Sequence, residues 1–480
     1  MFSLRKINVF SVITFSVMLL LVLPDLLQHG MFMDGTQYAC VAKNLANGKG
    51  TFWFPFLSES WVKSGSHNFL EHPPLVYFIQ SIFFKVFGDG IYTERIYCFV
   101  AMMACSFFIY RIWKVMNSEN NELKSNGWLP VLFWIITPSV FWAFRNNLIE
   151  NTLTVFILAS VYFALLAIKQ DGKKYLFIII SGIFIFLATL SKGIPGLFPV
   201  IILIIYYFVL NQISLRQTIV FTLLLILVPF IIYCGLILFN ENANSSLRFY
   251  FVERLMKRIE SGHLVENRFT ILWWLFTDLL VPIGVTIMFI LTVGFKEIVS
   301  KINSENKKKS FFFFLIGLAG VVPLTLTHVQ RATYFVPAMP FFALAFSFIL
   351  SEGMNNRISN IKNKLLTVLR ISSLVLLVVS LIYCFFIFGK TSRDVKEISD
   401  VHIIGKVIPE NSHIAVPGNI YNNWDFQLYL LRYHNITLDD VVDNNHEYYL
   451  EEKNAPIYDQ KNLATMNTEL SEYVLFSKKK

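Results

Sequence analysis

The chain has 480 residues, 55% of them hydrophobic and 15% charged, with 48 phenylalanines. A soluble domain carries roughly 25% charged residues, so a water-soluble globular class is excluded. The net charge of +9 resembles a nucleic-acid signal, but its distribution along the chain makes it a topology signal instead.

Apolar runs separated by short polar loops predict a polytopic all-α membrane protein. In chain order the spans are expected near 7–27, 91–113, 128–144, 152–168, 175–190, 194–210, 218–239, 271–295, 311–327, 333–350 and 371–389. The first run is read as a retained span, since it exceeds the roughly 7–15 residues of a signal-peptide core and no small-residue cleavage pattern follows. Lys and Arg fall in alternate loops: Arg5 and Lys6, then Arg111, Lys114 and Lys124, then Lys169, Lys173 and Lys174, then Arg216, the stretch from Lys296 through "NKKKS", and Arg357 to Arg370. The positive-inside rule makes these loops cytoplasmic. The N-terminus is then inside and the C-terminal segment outside. Nucleic acid is not an expected partner.

That topology sends the polar clusters at 28–72, 145–151, 191–193, 240–270 and 328–332 to the outer face. "PPLVYFIQSIFFKVFG" (Pro73–Gly88) opens with two prolines and carries Lys85, so it is read as interfacial or re-entrant, within a first outer loop of 28–90. "SSLRFYFVERLMKRIES" (Ser245–Ser261) repeats Leu247, Phe251, Leu255 and Ile259 every four residues among four cations, the pattern of an amphipathic interfacial helix. Residues 1–390 are expected to form the transmembrane domain. Residues 391–480 turn polar and are expected to form a small extracytoplasmic α/β domain, with "HIAVPG" and "EYVLFS" as strands and "NWDFQLYLLRYH" as a helix. The five cysteines show no CxxC spacing, so neither a disulfide framework nor a cysteine metal site is expected.

The outer clusters hold the groups with chemistry. Asp34 follows the first span, Glu71 and His72 precede the paired prolines, and Arg145 and Glu150 flank a tight turn. Lys192 sits in the smallest outer loop, and His328, Arg331 and Tyr334 stand at another outer end. Each has a structural alternative. Asp34 fits a helix N-cap with Gln37 reaching back and Gly48 ending the helix, Glu150 fits a cap, Lys192 and Arg331 fit snorkelling cations, and His72 fits a packed histidine. Together, carboxylates and cations on one face suggest a site for an anionic, membrane-held substrate with a carboxylate as base.

The order "MDGTQYACVAKNLANGKG", "EHPPLVYFIQSIFFKVFG", "RNNLIENTL", "LSKGIPG", "RATYFVPAMP" after a first span resembles the GT-C class of membrane glycosyltransferases. Within it the pattern is similar to glycosyltransferase family 39, the protein O-mannosyltransferase and aminoarabinose (lipid A) transferase group. The resemblance covers roughly residues 5–350 and is weak over the C-terminal segment. It implies transfer of a sugar from a polyprenyl-phosphate donor to a lipid, glycan or protein acceptor at the outer face, usually with inversion, and the short loops point to a bacterial inner membrane. It implies Asp34 as general base, Tyr38 as an aromatic one turn on, Glu71 and Glu150 as further acids, and Lys192 against the carrier phosphate. His72, Arg145, His328, Arg331 and Tyr334 complete the expected substrate-binding set. The chain departs from the pattern at Gly35, where Glu is common, at His72, where Lys is found in the lipid A type, and at Glu150, where Asp is more usual. A neutral imidazole holds phosphate less firmly than an ammonium, which puts that role of His72 in question. No cofactor is required by this chemistry, although the acids suit a divalent cation. A transporter or flippase of lipid-linked sugars is the alternative, and a scaffold binding envelope partners a third reading. The predicted spans are almost free of charge apart from Asp278, where a transporter favours several charges near mid-membrane, and no internal repeat is evident.

Overall fold

The computed structural model describes residues 8–61, 67–170, 172–257, 265–294, 303–440, 446–454 and 462–479. Among these, nine helices are long and apolar enough to cross a membrane. They are Val9–Leu26, Thr93–Met116, Ile149–Lys169, Lys174–Lys192, Leu215–Phe239, Thr270–Thr292, Ser304–Leu326, Ala332–Ser359 and Asn363–Ile387. Hydrocarbon offers no partner for a backbone amide, so each span satisfies its N–H and C=O groups internally as a helix. The chain is an integral multi-pass membrane protein. Helices Leu215–Phe239 and Asn363–Ile387 expose Phe230, Phe239, Phe385 and Phe386 on the rim, whereas Ile149–Lys169 and Met339–Ser359 are buried through most of their length.

Two expected spans depart from simple rods. The span expected at 128–144 is two helices, Trp128–Ile135 and Pro138–Arg145, bent by 77°. Pro138 disfavours the helical conformation at the residue before it, and Thr137 is extended at φ −71°, ψ 124°. The segment Ile194–Leu210 opens as a 3-10 turn over Ile194–Ile201 before becoming helical. Gly193, at φ +76°, ends the preceding helix, and a side chain there would overlap the Tyr250 hydroxyl.

Helix Leu75–Phe87 has 13 residues, about 20 Å of rise, too short for a bilayer core of about 30 Å. The amphipathic segment starts earlier than expected, at Glu241, where Asn240 caps the Ala243 N–H. It runs as Glu241–Phe249 and passes into a wider π-helical turn over Tyr250–Met256. The expected end of that helix, 258–261, lies outside the described residues.

Beyond Lys390 the chain builds a five-stranded sheet from β1 (His413–Ala415), β2 (Thr437–Asp439), β3 (Tyr448–Glu452), β4 (Leu463–Thr465) and β5 (Tyr473–Lys478). The order is β2-β1-β3-β5-β4, with β1 parallel to β2 and β3, and β5 antiparallel to β3 and β4. Helices Val395–Val407 and Trp424–His434 pack on it around Ile404, Phe426, Leu430 and Leu475. Helix Trp424–His434 also docks on helix Met33–Ala46. The buried Lys43 ammonium donates to the carbonyls of Leu431 and Arg432 at 3.3 and 2.9 Å. Buried Arg432 donates to Asp89 O, Gly90 O and the Glu94 carboxylate at 2.9, 2.8 and 2.6 Å. The C-terminal domain thereby braces the helix that carries Asp34.

Candidate active site

Helix Met33–Ala46 begins with Phe32 as its N-cap, and no side chain caps it. Asp34 therefore does not cap the helix that it opens. Its carboxylate accepts instead from the Arg331 guanidinium at 2.7 Å. Close approach of this helix to the next wall depends on Gly35. A Cβ there would overlap the Asn146 carbonyl, and the join is fastened by the Phe32 N–H to Asn146 Oδ1 at 3.0 Å and the Asn147 amide to Gly35 O at 2.9 Å. Arg331 is held from behind by Gln330, whose side chain accepts the Ile271 N–H and donates to Arg268 O and Thr327 O.

A cavity of about 800 Å³ opens over these groups. Its lining brings together Asp34, Tyr38, Glu71, His72, Glu150, Lys192, Arg331 and Tyr334. Three ion pairs organise it: Asp34 with Arg331, Glu150 with Lys192, and Glu71 with Arg254 from the π-helical turn. Glu150 and Lys192 are buried, so Lys192 does not snorkel, and Glu150 makes no side-chain cap on helix Ile149–Lys169. The Lys192 ammonium lies 4.4 Å from the Tyr334 ring centre, a cation–π contact that further fixes it. Tyr38 is buried, with its ring edge-on to His72 at 6.2 Å.

Burial raises the Asp34 pKa above the ordinary carboxylate value, and neighbouring Glu150 adds to that, while Arg331 and Lys192 act in the opposite direction. Burial also pushes the Tyr38 hydroxyl well up, so it stays protonated at neutral pH. A carboxylate that is raised in pKa and still able to ionise suits proton abstraction.

Two residues expected in the site lie elsewhere. Arg145 pairs with Asp25 at 3.0 Å, donates to Leu21 O and stacks at 4.9 Å on Phe141, which lines the cavity, whereas Arg145 itself does not. His328 Nδ1 lies 3.0 Å from Val265 O and its Nε2 accepts from Arg268 at 3.0 Å. It fastens the loop and does not line the cavity. Conversely, Asp278, Ser139, Trp142, Trp61 and Trp424 line the cavity without having been expected there. Asp278 had a sequence signal, an acid within an apolar span. Trp424 had none, since it reaches the cavity from the C-terminal domain.

A second, apolar cavity of about 540 Å³ is reached at the residue after Lys192. It is lined by Gly193, Leu197, Phe230, Tyr233, the amphipathic segment's Leu247, Phe251 and Leu255, and Tyr250, which donates to Lys192 O at 3.3 Å. Among the described residues, no group of three or more His, Cys, Asp or Glu is arranged to hold a metal ion.

Residues 71–234 match the family model of dolichyl-phosphate-mannose-protein mannosyltransferases. ArnT from Cupriavidus metallidurans bound to undecaprenyl phosphate superposes with a TM-score of 0.62 over 97% of this chain and 97% of that one, at 12% identity. The fold is that of the GT-C glycosyltransferases. The apo form of the same ArnT gives 0.59, with 96% of this chain and 97% of that one covered at 12% identity. Archaeal oligosaccharyltransferase AglB from Archaeoglobus fulgidus, in complex with an inhibitory peptide and a dolichol-phosphate, gives 0.50 at 11% identity, covering 93% of this chain and 70% of that one. No curated protein sequence matches significantly. The resemblance drawn from motif order is thus met in sequence over residues 71–234 and in fold over most of the chain.

Proposed function

We propose that this protein is a glycosyltransferase that moves a sugar from a polyprenyl-phosphate carrier to an acceptor hydroxyl or amine at the outer face of a bacterial inner membrane. The observation that carries this reading is the placing of two unlike spaces at consecutive residues: Lys192 lines a cavity organised by three carboxylate–cation pairs, and Gly193 lines an apolar groove. A carrier with an apolar tail and an anionic head fits that junction. The tail lies along Leu197, Phe230 and Phe251, the phosphate meets Lys192, and the sugar reaches the polar cavity.

The reaction is a single displacement with inversion. The acceptor attacks C1 of the sugar while the lipid phosphate departs from the opposite face. Asp34 takes the acceptor's proton, a contribution of typically ~10²–10⁴-fold. Glu150 and Glu71 position Lys192 and Arg254 and orient hydroxyls. As the leaving phosphate gains charge, Lys192 and Arg331 stabilise it, and the planar fork of Arg331 suits phosphate oxygens. Arg331 serves both partners: it rests on Asp34, and an arriving phosphate draws it off and frees the base. His72, beside Tyr38, lines the same space and assists as a hydrogen-bond donor. These cations supply the positive charge that the leaving group needs, so we assign no divalent ion to the reaction. The acceptor is a lipid, glycan or protein group admitted past Trp61 and Trp424, whose rings meet at 5.4 Å.

The test is a transfer assay in proteoliposomes with radiolabelled polyprenyl-phosphate sugars and a membrane extract as acceptor source. Label passing to an acceptor supports the transferase. Labelled lipid that crosses the bilayer without transfer replaces it with a flippase.

A further inference from the structure

Asp278 differs from the other acids of the cavity. Asp34, Glu71 and Glu150 each pair with a cation, whereas among the described residues Asp278 forms no ion pair. Its oxygens accept from a single residue, Ser139, through the N–H at 2.9 Å and the hydroxyl at 2.6 Å. It stands within helix Thr270–Val293, about 12 Å along from the helix start.

A structural role is plain, because Ser139 opens the second half of the bent span and its N–H lacks an intrahelical acceptor. Capping needs an oxygen acceptor, and Asn, Ser or Thr supply one without a charge. A carboxylate inside a span and without a cation is costly to keep. Each carboxylate oxygen also holds acceptor capacity beyond the bond to Ser139. Both residues line the 800 Å³ cavity together with Trp142, which follows Ser139 by three positions and so shares its helix face. A carboxylate repels the phosphate, which has Lys192 and Arg331. What it attracts is a hydrogen-bond donor just beyond the phosphate.

We propose that Asp278, Ser139 and Trp142 form the subsite for the donor's sugar ring, with Asp278 accepting from ring hydroxyls or an amino substituent and the Trp142 face packing against the ring. The proposal deepens the transferase reading and rests on it. Asp278 is a specificity-determining residue in this scheme and takes no part in bond making.

The experiment uses the full-length protein in proteoliposomes, comparing wild type with Asp278→Asn, which keeps an acceptor for the Ser139 N–H. Transfer kinetics are read with a polyprenyl-phosphate hexose and with a polyprenyl-phosphate amino sugar. Binding of bare polyprenyl phosphate and the melting temperature are measured alongside. If wild type transfers neither sugar, the transferase reading itself fails. Given wild-type transfer, the subsite predicts a KM for the sugar donor raised about tenfold or more, with unchanged binding of bare polyprenyl phosphate and unchanged melting. A loss confined to the amino sugar assigns the contact to an ammonium, and a loss for both assigns it to hydroxyls. Unaltered kinetics, or a parallel loss of bare-carrier binding and melting temperature, reduces Asp278 to a helix cap and overturns the proposal.

Discussion

The Arg331 guanidinium donates to the Asp34 carboxylate at 2.7 Å, and both side chains line the same cavity. The pair joins the start of the first juxtamembrane helix to the loop before the Ala332–Ala338 turn. It restrains a carboxylate whose pKa burial has raised.

This relationship sets the pH dependence. Asp34 must be ionised to accept a proton, so transfer falls as pH drops through its folded-state pKa, which lies above the ordinary carboxylate value. Arg331 lowers that pKa. Arg331→Ala therefore moves the acid limb of the kcat/KM profile, which reports the free enzyme, to higher pH and raises the donor KM. A pH–rate profile of both proteins checks it, and an acid limb that does not move removes Arg331 from contact with the base.

The buried pair Glu150–Lys192 yields a stability prediction. Lys192→Met strands the Glu150 carboxylate and costs about 3–5 kcal/mol, because a buried charge loses its partner. Adding Glu150→Gln recovers much of that stability, since no charge is then left unpaired. It does not recover transfer, because the phosphate contact is gone. Melting and transfer measured on the single and double variants separate the two roles.

Gly35 fixes how closely helix Met33–Ala46 meets Asn146. Gly35→Ala forces a Cβ against the Asn146 carbonyl, a backbone atom that has little room to yield. The expected cost is about 1–3 kcal/mol of overpacking together with a large fall in transfer, as Asp34 shifts with its helix. Melting and transfer assays check this, and wild-type behaviour contradicts it. The Asp-Gly sequence that departs from the family pattern is thereby explained by packing.

Arg432 is buried and donates to Asp89 O, Gly90 O and Glu94. Arg432→Met removes these bonds and leaves Glu94 with Arg95 as its remaining cation, at 2.9 Å. The C-terminal domain then loosens from helix Met33–Ala46. Faster proteolysis near residue 390, with a lower melting temperature, is the expected result. Unchanged proteolysis contradicts the bracing role.

Sequence patterning made the spans legible because lipid leaves the backbone few choices, and a long apolar run has one stable form. The bend at Thr137 also has its signal, a Thr-Pro step inside the apolar run 128–144. Asp34, Glu71, Glu150, Lys192 and Arg331 all line the cavity, and the sequence marks each as a charged group beside an apolar segment, where polar groups are sparse. The same criterion admitted Arg145 and His328, because an end position does not say which way a side chain turns. The partner of Glu71, Arg254, was noted as part of an amphipathic face, and nothing in its local sequence tied it to a carboxylate in the first loop. Strands β2, β3 and β4 have three, five and three residues, and none is among the expected strands, although β1, also of three residues, is.

The most direct test is transfer from a radiolabelled polyprenyl-phosphate sugar by wild type and by Asp34→Asn, with donor binding measured in parallel. Asp34 as base predicts a fall in kcat of about 10²–10⁴-fold with donor binding retained. Equal transfer by the two proteins would contradict it and leave Asp34 only its ion pair with Arg331.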